Sequence, residues 1–411
     1  MTMPEVVIVG GARTPFCEWS GGKRGDGQPG GLLRNVSAID LGAEAIKGAL
    51  EKSATPTNKV DHLVMGYALQ TCDQAIFGAR HAGLKAGIPH EVPMLTLSRI
   101  CGSGIQSIVT AAQMIQLREA NTVVAGGMEN LSQAPHVLRD MRDTYRLGRP
   151  PSSGEELTKD MEDYLFTNLL DGMCGSFMAQ TSDELCRRKG VTREETDSFA
   201  ALSHTRTALS IDSGLWAKEI VSIDNGERMI GHEDEDHVVR GTTPESLSEL
   251  RTAFGEDSLV TAGNASGVVD GAAAVVIKSL EQAESDGDKP LARIISWGIV
   301  GIEPAIMAYG PVPSSRLALE KAGLEISDID RWEINEAFAG QAVACVKDLE
   351  LDIEKVNVNG GAVGIGHPLA ATGTRLVLTL AHELNRSSSR YGVATACIGG
   401  GQGISIVIER M

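Results

Sequence analysis

Three separate glycine-rich segments of this chain each hold one reactive side chain. S-R-I-C-G-S-G at 98–104 holds Cys101, N-V-N-G-G-A-V-G-I-G-H-P at 357–368 holds His367, and A-C-I-G-G-G-Q-G at 396–403 holds Cys397. Glycine lets backbone turn tightly and approach a ligand closely. Two thiols and an imidazole so placed suit acyl transfer through a thioester. Cys101 precedes a long amphipathic stretch, so the positive end of a helix and its free N–H groups would lower the thiol pKa and hold an oxyanion. His367, followed by Pro368 at a helix start, would take the thiol proton. The glycines at 360, 361, 364 and 366 would admit the substrate. Cys397 at a strand end would deliver or remove a proton at a carbon acid. Asn335, in N-E-A-F at 335–338, would hold a water or an oxyanion. Each has a plainer alternative: a buried cysteine, a satisfied core histidine, a turn asparagine.

The composition narrows the class. At 411 residues the chain is long enough for two or three domains, and 42% hydrophobic with 22% charged residues is globular rather than disordered. A net charge of −17 argues against nucleic-acid binding, and an anionic substrate would need a local basic patch. The acidic run Glu233–Asp236 reads as a solvated loop. Seven widely spaced cysteines with no C-x-x-C pair argue against a disulfide framework and a zinc site, and fit a reducing compartment. No metal site is expected. The first residues, M-T-M-P-E-V-V-I-V-G, lack a signal-peptide pattern, and no run is long enough for a membrane span, so the cytoplasm is the expected location.

The elements that must position these residues repeat. Ala49-Leu50-Glu51-Lys52 is followed by Val60-Asp61-His62-Leu63, and at matching separation Ala318-Leu319-Glu320-Lys321 is followed by Ile329-Asp330-Arg331-Trp332. Helical spacing recurs behind Cys101 (Ile105 to Ile115) and behind His367 (Leu376 to Leu384). Each helix leads to an apolar strand running into glycines, at 122–127 and 393–400. The first strands are expected at 6–10 and 292–297. The fold class is therefore α/β in two similar mixed-sheet halves: 1–131 with 263–285, and 286–411. The stretch 132–262 has no counterpart. It holds R-P-P-S-S-G at 149–154 and a helix near 192–209, and reads as an inserted loop domain covering the site. The strand at 123–127 is expected to pair across a dimer interface.

Taken together, the segments resemble the thiolases, the family of acetyl-CoA acetyltransferase and 3-ketoacyl-CoA thiolase. The resemblance also includes G-G-A-R-T-P-F at 10–16, G-G-M-E-N-L-S-Q-A-P at 126–135, T-A-G-N-A-S-G at 261–267 and G-P-V-P at 310–313. It implies a duplicated αβαβα-layered fold and an acyltransferase that works by ping-pong chemistry through an acyl-cysteine. Coenzyme A and acyl-CoA would be substrates, with no cofactor. The resemblance makes Cys101 the nucleophile, His367 its activator and Cys397 the group that moves the proton at C2 of acetyl-CoA. One oxyanion hole would use His367 and a water on Asn335, the other the N–H groups of Cys101 and Gly399. Ser266 would face the pantetheine arm, Met178, Ala337 and Phe338 the acyl pocket and the CoA arm, and Arg240 the nucleotide end of CoA. A homodimer or homotetramer is implied, with a β-oxidation partner subunit as a further option.

Some positions depart from the family pattern: Phe177 where a histidine is common, Ser182-Asp183-Glu184 for A-E-N, H-P-L-A-A-T-G for H-P-L-G-x-S-G, G-V-V-D at 267–270, and extra sequence at 19–30. The competing readings are a ketoacyl synthase, which Cys397 counts against, and a non-catalytic acyl-CoA or lipid carrier, which the complete reactive set counts against.

Overall fold

The computed structural model describes residues 3–139 and 161–411; the expected R-P-P-S-S-G loop at 149–154 lies outside them. In chain order the first half contributes β1 (Val6–Arg13), α1 (Ala38–Lys52), β2 (His62–Gly66), β3 (Met94–Leu97), α2 (Ser103–Gln116) and β4 (Thr122–Glu129). The insertion carries α3 (Met178–Lys189) and α4 (Arg193–Asp212), after which β5 (Val269–Ser279) returns to the first sheet. The second half follows with β6 (Ala292–Gly301), α5 (Pro311–Ala322), β7 (Arg331–Ile334), α6 (Ala339–Asp348), α7 (Leu369–Arg386), β8 (Tyr391–Ile398) and β9 (Gln402–Arg410).

The repeat read from sequence is a repeat of topology. In the first half β2 runs parallel to β3 and β4, β4 pairs antiparallel with β5, and β5 pairs antiparallel with β1. In the second half β7 runs parallel to β8 and to a one-residue bridge at Val356, β8 pairs antiparallel with β9, and β9 pairs antiparallel with β6. Even the irregularities match. The first strand of each half bulges, between Ile8 and Gly10 in β1 and between Ile294 and Ser296 in β6. The halves are not separate sheets, however. β1 and β6 pair antiparallel through Val6–Ile294, Val7–Arg293 and Ile8–Ala292, giving one path ordered β7-β8-β9-β6-β1-β5-β4-β2-β3. Strand β4 lies inside this path, bonded on both edges, so the expected role of 123–127 at a dimer interface is wrong. Among the described residues, the free edge at that end is β3.

Five layers result. Helix α1 covers the outer face of the first half-sheet, with Ile39, Leu41 and Ile46 against Leu63, Met65 and Val276. Helices α2 and α7 fill the space between the half-sheets, bringing Ile105, Ile108, Leu376 and Leu380 against Val123, Ile277, Ala394 and Ile406. Helix α5 and the neighbouring α6 cover the second half-sheet around Trp332. Covered on both faces, the strands carry unbroken apolar runs instead of alternation. V-V-I-V at 6–9 and A-A-A-V-V-I at 272–277 are buried throughout. Insertion helix α4 opens with a capping box, in which Thr192 and Glu195 satisfy each other's backbone N–H. It packs on the second half through the loop that carries His367.

The two central helices meet backbone to backbone. A Cβ added to Gly104 would lie 2.4 Å from Thr374 N, and one added to Gly373 would lie 2.5 Å from Ile105 N. No side chain fits at either point. We expect Gly104→Ala to lower the chemical-denaturation midpoint by the equivalent of about 1–3 kcal/mol. Gly172→Ala, where an added Cβ meets nothing within 4 Å, should stay within about 0.5 kcal/mol of the parent. Equal effects would remove the helix contact as a determinant of stability.

Candidate active site

Both central helices begin at the same place, and each N-terminus is preceded by a reactive residue. Before α2, Ile100, Cys101 and Gly102 form one tight turn. Ile100 is held there at φ 47°, unusual for a β-branched residue. Ser103 locks the turn: its Oγ donates to Ile100 O at 2.7 Å and accepts from Arg99 N at 2.8 Å. Gly102 is required because a Cβ would meet Ile398 Cδ1 at 2.5 Å. Before α7, His367 is set by its own N–H on Gly267 O at 2.9 Å.

The glycines ahead of His367 serve the fold rather than a substrate, contrary to the sequence reading. Gly360 and Gly364 admit Thr207 of α4, Gly361 admits Glu336, and Gly366 admits Val269. Glu336 is the buried anchor of this loop. It accepts from Ser203 Oγ at 2.6 Å, Asn357 Nδ2 at 2.7 Å and Val363 N at 2.9 Å. The carboxylate beside Asn335 thus ties together β7, the His367 loop and the insertion.

A cavity of about 290 Å³ opens over this junction, lined by Cys101, His367, Cys397, Met178, Ser266, Ala337 and Phe338, among others. Seven of the ten residues singled out from sequence therefore line one cavity. Ser266 N donates to Ala337 O at 3.1 Å, and Ala265 bridges Phe338, so the 261–268 segment and the 337–339 segment form one side together. Asn335 stands behind His367, with Nδ2 3.4 Å from Nε2 and its buried Oδ1 unpaired. Gly399 stands near Cys101, where its backbone N–H favours the thiolate. Arg240 is the exception. It is exposed outside the cavity, its guanidinium on Asp212 at 2.7 Å, although Val239 beside it donates to His204, which in turn faces Gly263 O.

The electrostatics are those of a dry site. Burial pushes the Cys101 thiol up to about 12, against the N–H groups of Gly399 and of Cys101 itself, which favour the thiolate. The lowered pKa expected from the helix terminus is therefore not the resting state, because desolvation exceeds the dipole's help. Burial, with the charge of Arg375, holds His367 down at about 3, so the imidazole is neutral. Burial also raises Cys397 well above the ordinary thiol range. Nearby, Glu129 caps the start of α7 by accepting from Ala370 N at 3.2 Å, and burial lifts its carboxyl to about 8. The acidic run at 233–236 is solvated only in part: Glu233 is exposed, but its neighbours are not free. Glu235 is buried on Arg13, and Asp236 accepts from Glu18 N at 2.7 Å.

Thr372 was not identified from sequence. Its hydroxyl lies 2.6 Å from His367 Nδ1. With Asn335 Nδ2 donating toward Nε2, the consistent assignment is a proton on Nδ1, donated to Thr372, and a free pair on Nε2. The signal was present as the departure H-P-L-A-A-T-G, but only the turn of α7 carries position 372 back over the ring.

Comparison with known proteins fits this geometry. Residues 6–281 match the thiolase N-terminal domain and residues 288–410 the thiolase C-terminal domain. The chain belongs to the thiolase family. It is 42% identical to human mitochondrial 3-ketoacyl-CoA thiolase over 408 residues, covering 98% of each chain. It is 41% identical to the acetyl-CoA acetyltransferase of Allochromatium vinosum, covering 95% of this chain and 98% of that one. The crystal structure of human mitochondrial 3-ketoacyl-CoA thiolase in complex with CoA superposes with a TM-score of 0.91 at 41% identity, over 100% of both chains. The αβαβα thiolase fold expected from sequence is therefore the fold observed.

In this thiolase, Thr372→Val should cut kcat by about 10–100-fold while leaving the fold intact, and Thr372→Ser should restore it. The parent should show no acid limb near pH 6.5, since its imidazole stays neutral to about 3. Steady-state rates across pH for the three proteins test both points, and an unchanged Thr372→Val would remove the hydroxyl from the site.

Proposed function

We propose that this chain is a working thiolase. It cleaves 3-ketoacyl-CoA with CoA to acetyl-CoA and a shortened acyl-CoA, or runs the reverse condensation of two acetyl-CoA. The observation that carries the reading is the convergence of Cys101, His367 and Cys397 on one apolar cavity. A carrier has no use for two thiols and a neutral base around one point.

In the cleavage direction Cys101 Sγ attacks the 3-keto carbon and His367 Nε2 takes the thiol proton. The oxyanion that forms is held by the N–H groups of Cys101 and Gly399. As the C2–C3 bond breaks, the electron pair goes to C2, which takes the proton of Cys397. The thioester oxygen of the departing acetyl-CoA enolate is held by His367 and a water on Asn335. CoA thiol then gives its proton to the Cys397 thiolate and attacks the acyl-Cys101 carbonyl. Collapse releases acyl-CoA, and His367 returns the proton to Cys101. Ser266, Ala337, Met178 and Phe338 hold the arm and the acyl group, with Arg240 toward the nucleotide end.

The assembly we infer is a homodimer, or a homotetramer built from such dimers. Strand β3 leaves one ladder edge free, Leu95 on it is 39% exposed, and Ile76, Phe77 and Ile100 beside it are exposed too. An apolar free edge invites a second copy. Seven free cysteines support a reducing compartment, here the cytoplasm. Among the described residues no helix is long and apolar enough to cross a membrane.

Thiolysis, followed by loss of 3-ketoacyl-CoA absorbance, tests the reaction. Cys101→Ala should abolish it together with radiolabelled acyl transfer. Cys397→Ala should still take up an acyl group from acyl-CoA at Cys101 while losing carbon–carbon cleavage by about 100-fold or more. Equal loss of acylation in both variants would overturn the division of roles. Light scattering tests the interface: Leu95→Lys should halve the molar mass, and a monomeric parent would refute it.

A further inference from the structure

A second cavity, of about 300 Å³, lies toward the far end of α7. Three stretches of chain build it: Trp216, Lys218 and Glu219 after α4, Asn359 of the His367 loop, and His382 and Glu383 of α7. At the helical rise per residue, His382 lies about 20 Å along α7 from its start at Leu369. Among the described residues, none lines both this cavity and the one over Cys101.

Two polar groups of its lining are unpaired. Trp216 is 2% exposed and packs with Phe16, Ile211 and Ile220, yet its Nε1–H has no hydrogen-bond partner. An indole N–H can only donate, and a buried one usually finds an acceptor. Nε2 of His382 is buried and without a partner as well. The carboxylates in the lining are engaged elsewhere. Glu219 accepts from Arg13 Nε at 2.6 Å and Thr379 Oγ1 at 3.1 Å. Glu383 accepts from Arg386 Nε at 2.8 Å, Asn359 Nδ2 at 3.1 Å and Arg331 Nε at 3.2 Å.

The nearby cations are less fully matched. Lys218 is exposed, and Lys52 donates to the carbonyls of Lys218 and Ile220 rather than to a carboxylate. Burial holds the His382 imidazole below the ordinary histidine range; Glu219 opposes this, and the charges of Lys52 and Lys218 add to it. The cations named here outnumber the carboxylates, even with Glu235 on Arg13 and Glu51 beside Lys52 included. In a chain of net charge −17 this corner can take a negative charge.

We propose that this cavity is a binding site for a small oxyanion, a phosphate or a carboxylate, held by Trp216 Nε1, His382 Nε2 and Lys218 Nζ. The oxyanion supplies the acceptor that the indole N–H lacks, and a neutral imidazole can donate to it from Nε2. The ammonium adds a charge-assisted bond. A cation would leave the indole N–H unanswered. The inference stands apart from the thiolase reading, since Cys101, His367 and Cys397 do not line this cavity.

The test is calorimetric titration of the full chain with inorganic phosphate and, separately, acetate at constant ionic strength. At least one should bind at a single saturable site with a Kd of about 1 mM, and the tighter of the two names the oxyanion. Trp216→Phe, which keeps the ring and removes the N–H, should weaken that binding about 10-fold or more, and so should Lys218→Met. Lys218→Met alters an exposed position and remains informative if Trp216→Phe fails to fold. Saturating CoA should leave the binding in place. Displacement by CoA would assign the oxyanion to the CoA site and overturn the proposal. No saturable binding of either probe would mean a cavity filled by water and would overturn it too, as would unchanged affinity in Lys218→Met or in folded Trp216→Phe.

Discussion

The contact between α2 and α7 is the constraint on which this structure depends. Gly104 and Gly373 give up their side chains so that the two helices touch backbone to backbone. Only at that distance do both helices fit between two half-sheets, and only then do their N-termini arrive together. A third close approach supports it, since a Cβ on Gly127 of β4 would lie 1.9 Å from Ala370 O at the start of α7. Interiors are packed too tightly to absorb an added atom at such points without shifting the backbone. Cys101 before one helix and His367 before the other are thus brought together by backbone contacts that leave no room for a side chain.

The same burial that stabilises the junction makes the empty site unreactive. With the thiol near 12 and the imidazole near 3, a resting thiolate–imidazolium pair is strongly disfavoured. In the mechanism we propose, proton transfer accompanies attack, when the N–H groups of Cys101 and Gly399 gain a full oxyanion to bind. A dry cavity strengthens those hydrogen bonds at the moment charge develops. Thr372 holds the ring by Nδ1 and Asn335 lies on the side of Nε2. The linkage to stability has a definite sign. A histidine held at about 3 takes up its proton more readily in the unfolded chain, so its contribution to stability is present above about 6.5 and is lost as pH falls toward about 3.

The insertion is part of this site rather than a cover laid over it. Glu336 binds Ser203 of α4, and Thr207 fills the space left by Gly360 and Gly364. Phe166, Phe177, Met178 and Phe254 of the insertion line the cavity together with residues of the 261–268 segment. Cys101, His367 and Cys397 come from the duplicated halves, while much of the cavity lining comes from the unduplicated part.

The sequence by itself determined the duplicated α/β order, the insertion, and the identities of Cys101, His367 and Cys397. These were legible because helical and strand periodicities are local and because each residue lies in a glycine-rich segment of its own. Seven of the ten named residues line one cavity, with Asn335 and Gly399 nearby. The tertiary structure alone decided the rest. It joined the half-sheets through β1 and β6, placed β4 in the interior and left β3 as the edge, because strand order depends on pairings far apart in sequence. It buried Glu235 and half-buried Asp236, since Arg13 and the backbone of Glu18 reach them from across the chain. It assigned the glycines around His367 to packing, and Thr372 to the imidazole through one turn of α7. It reversed the expected thiol pKa, because desolvation is set by everything that surrounds a group in space and not by its neighbours in sequence.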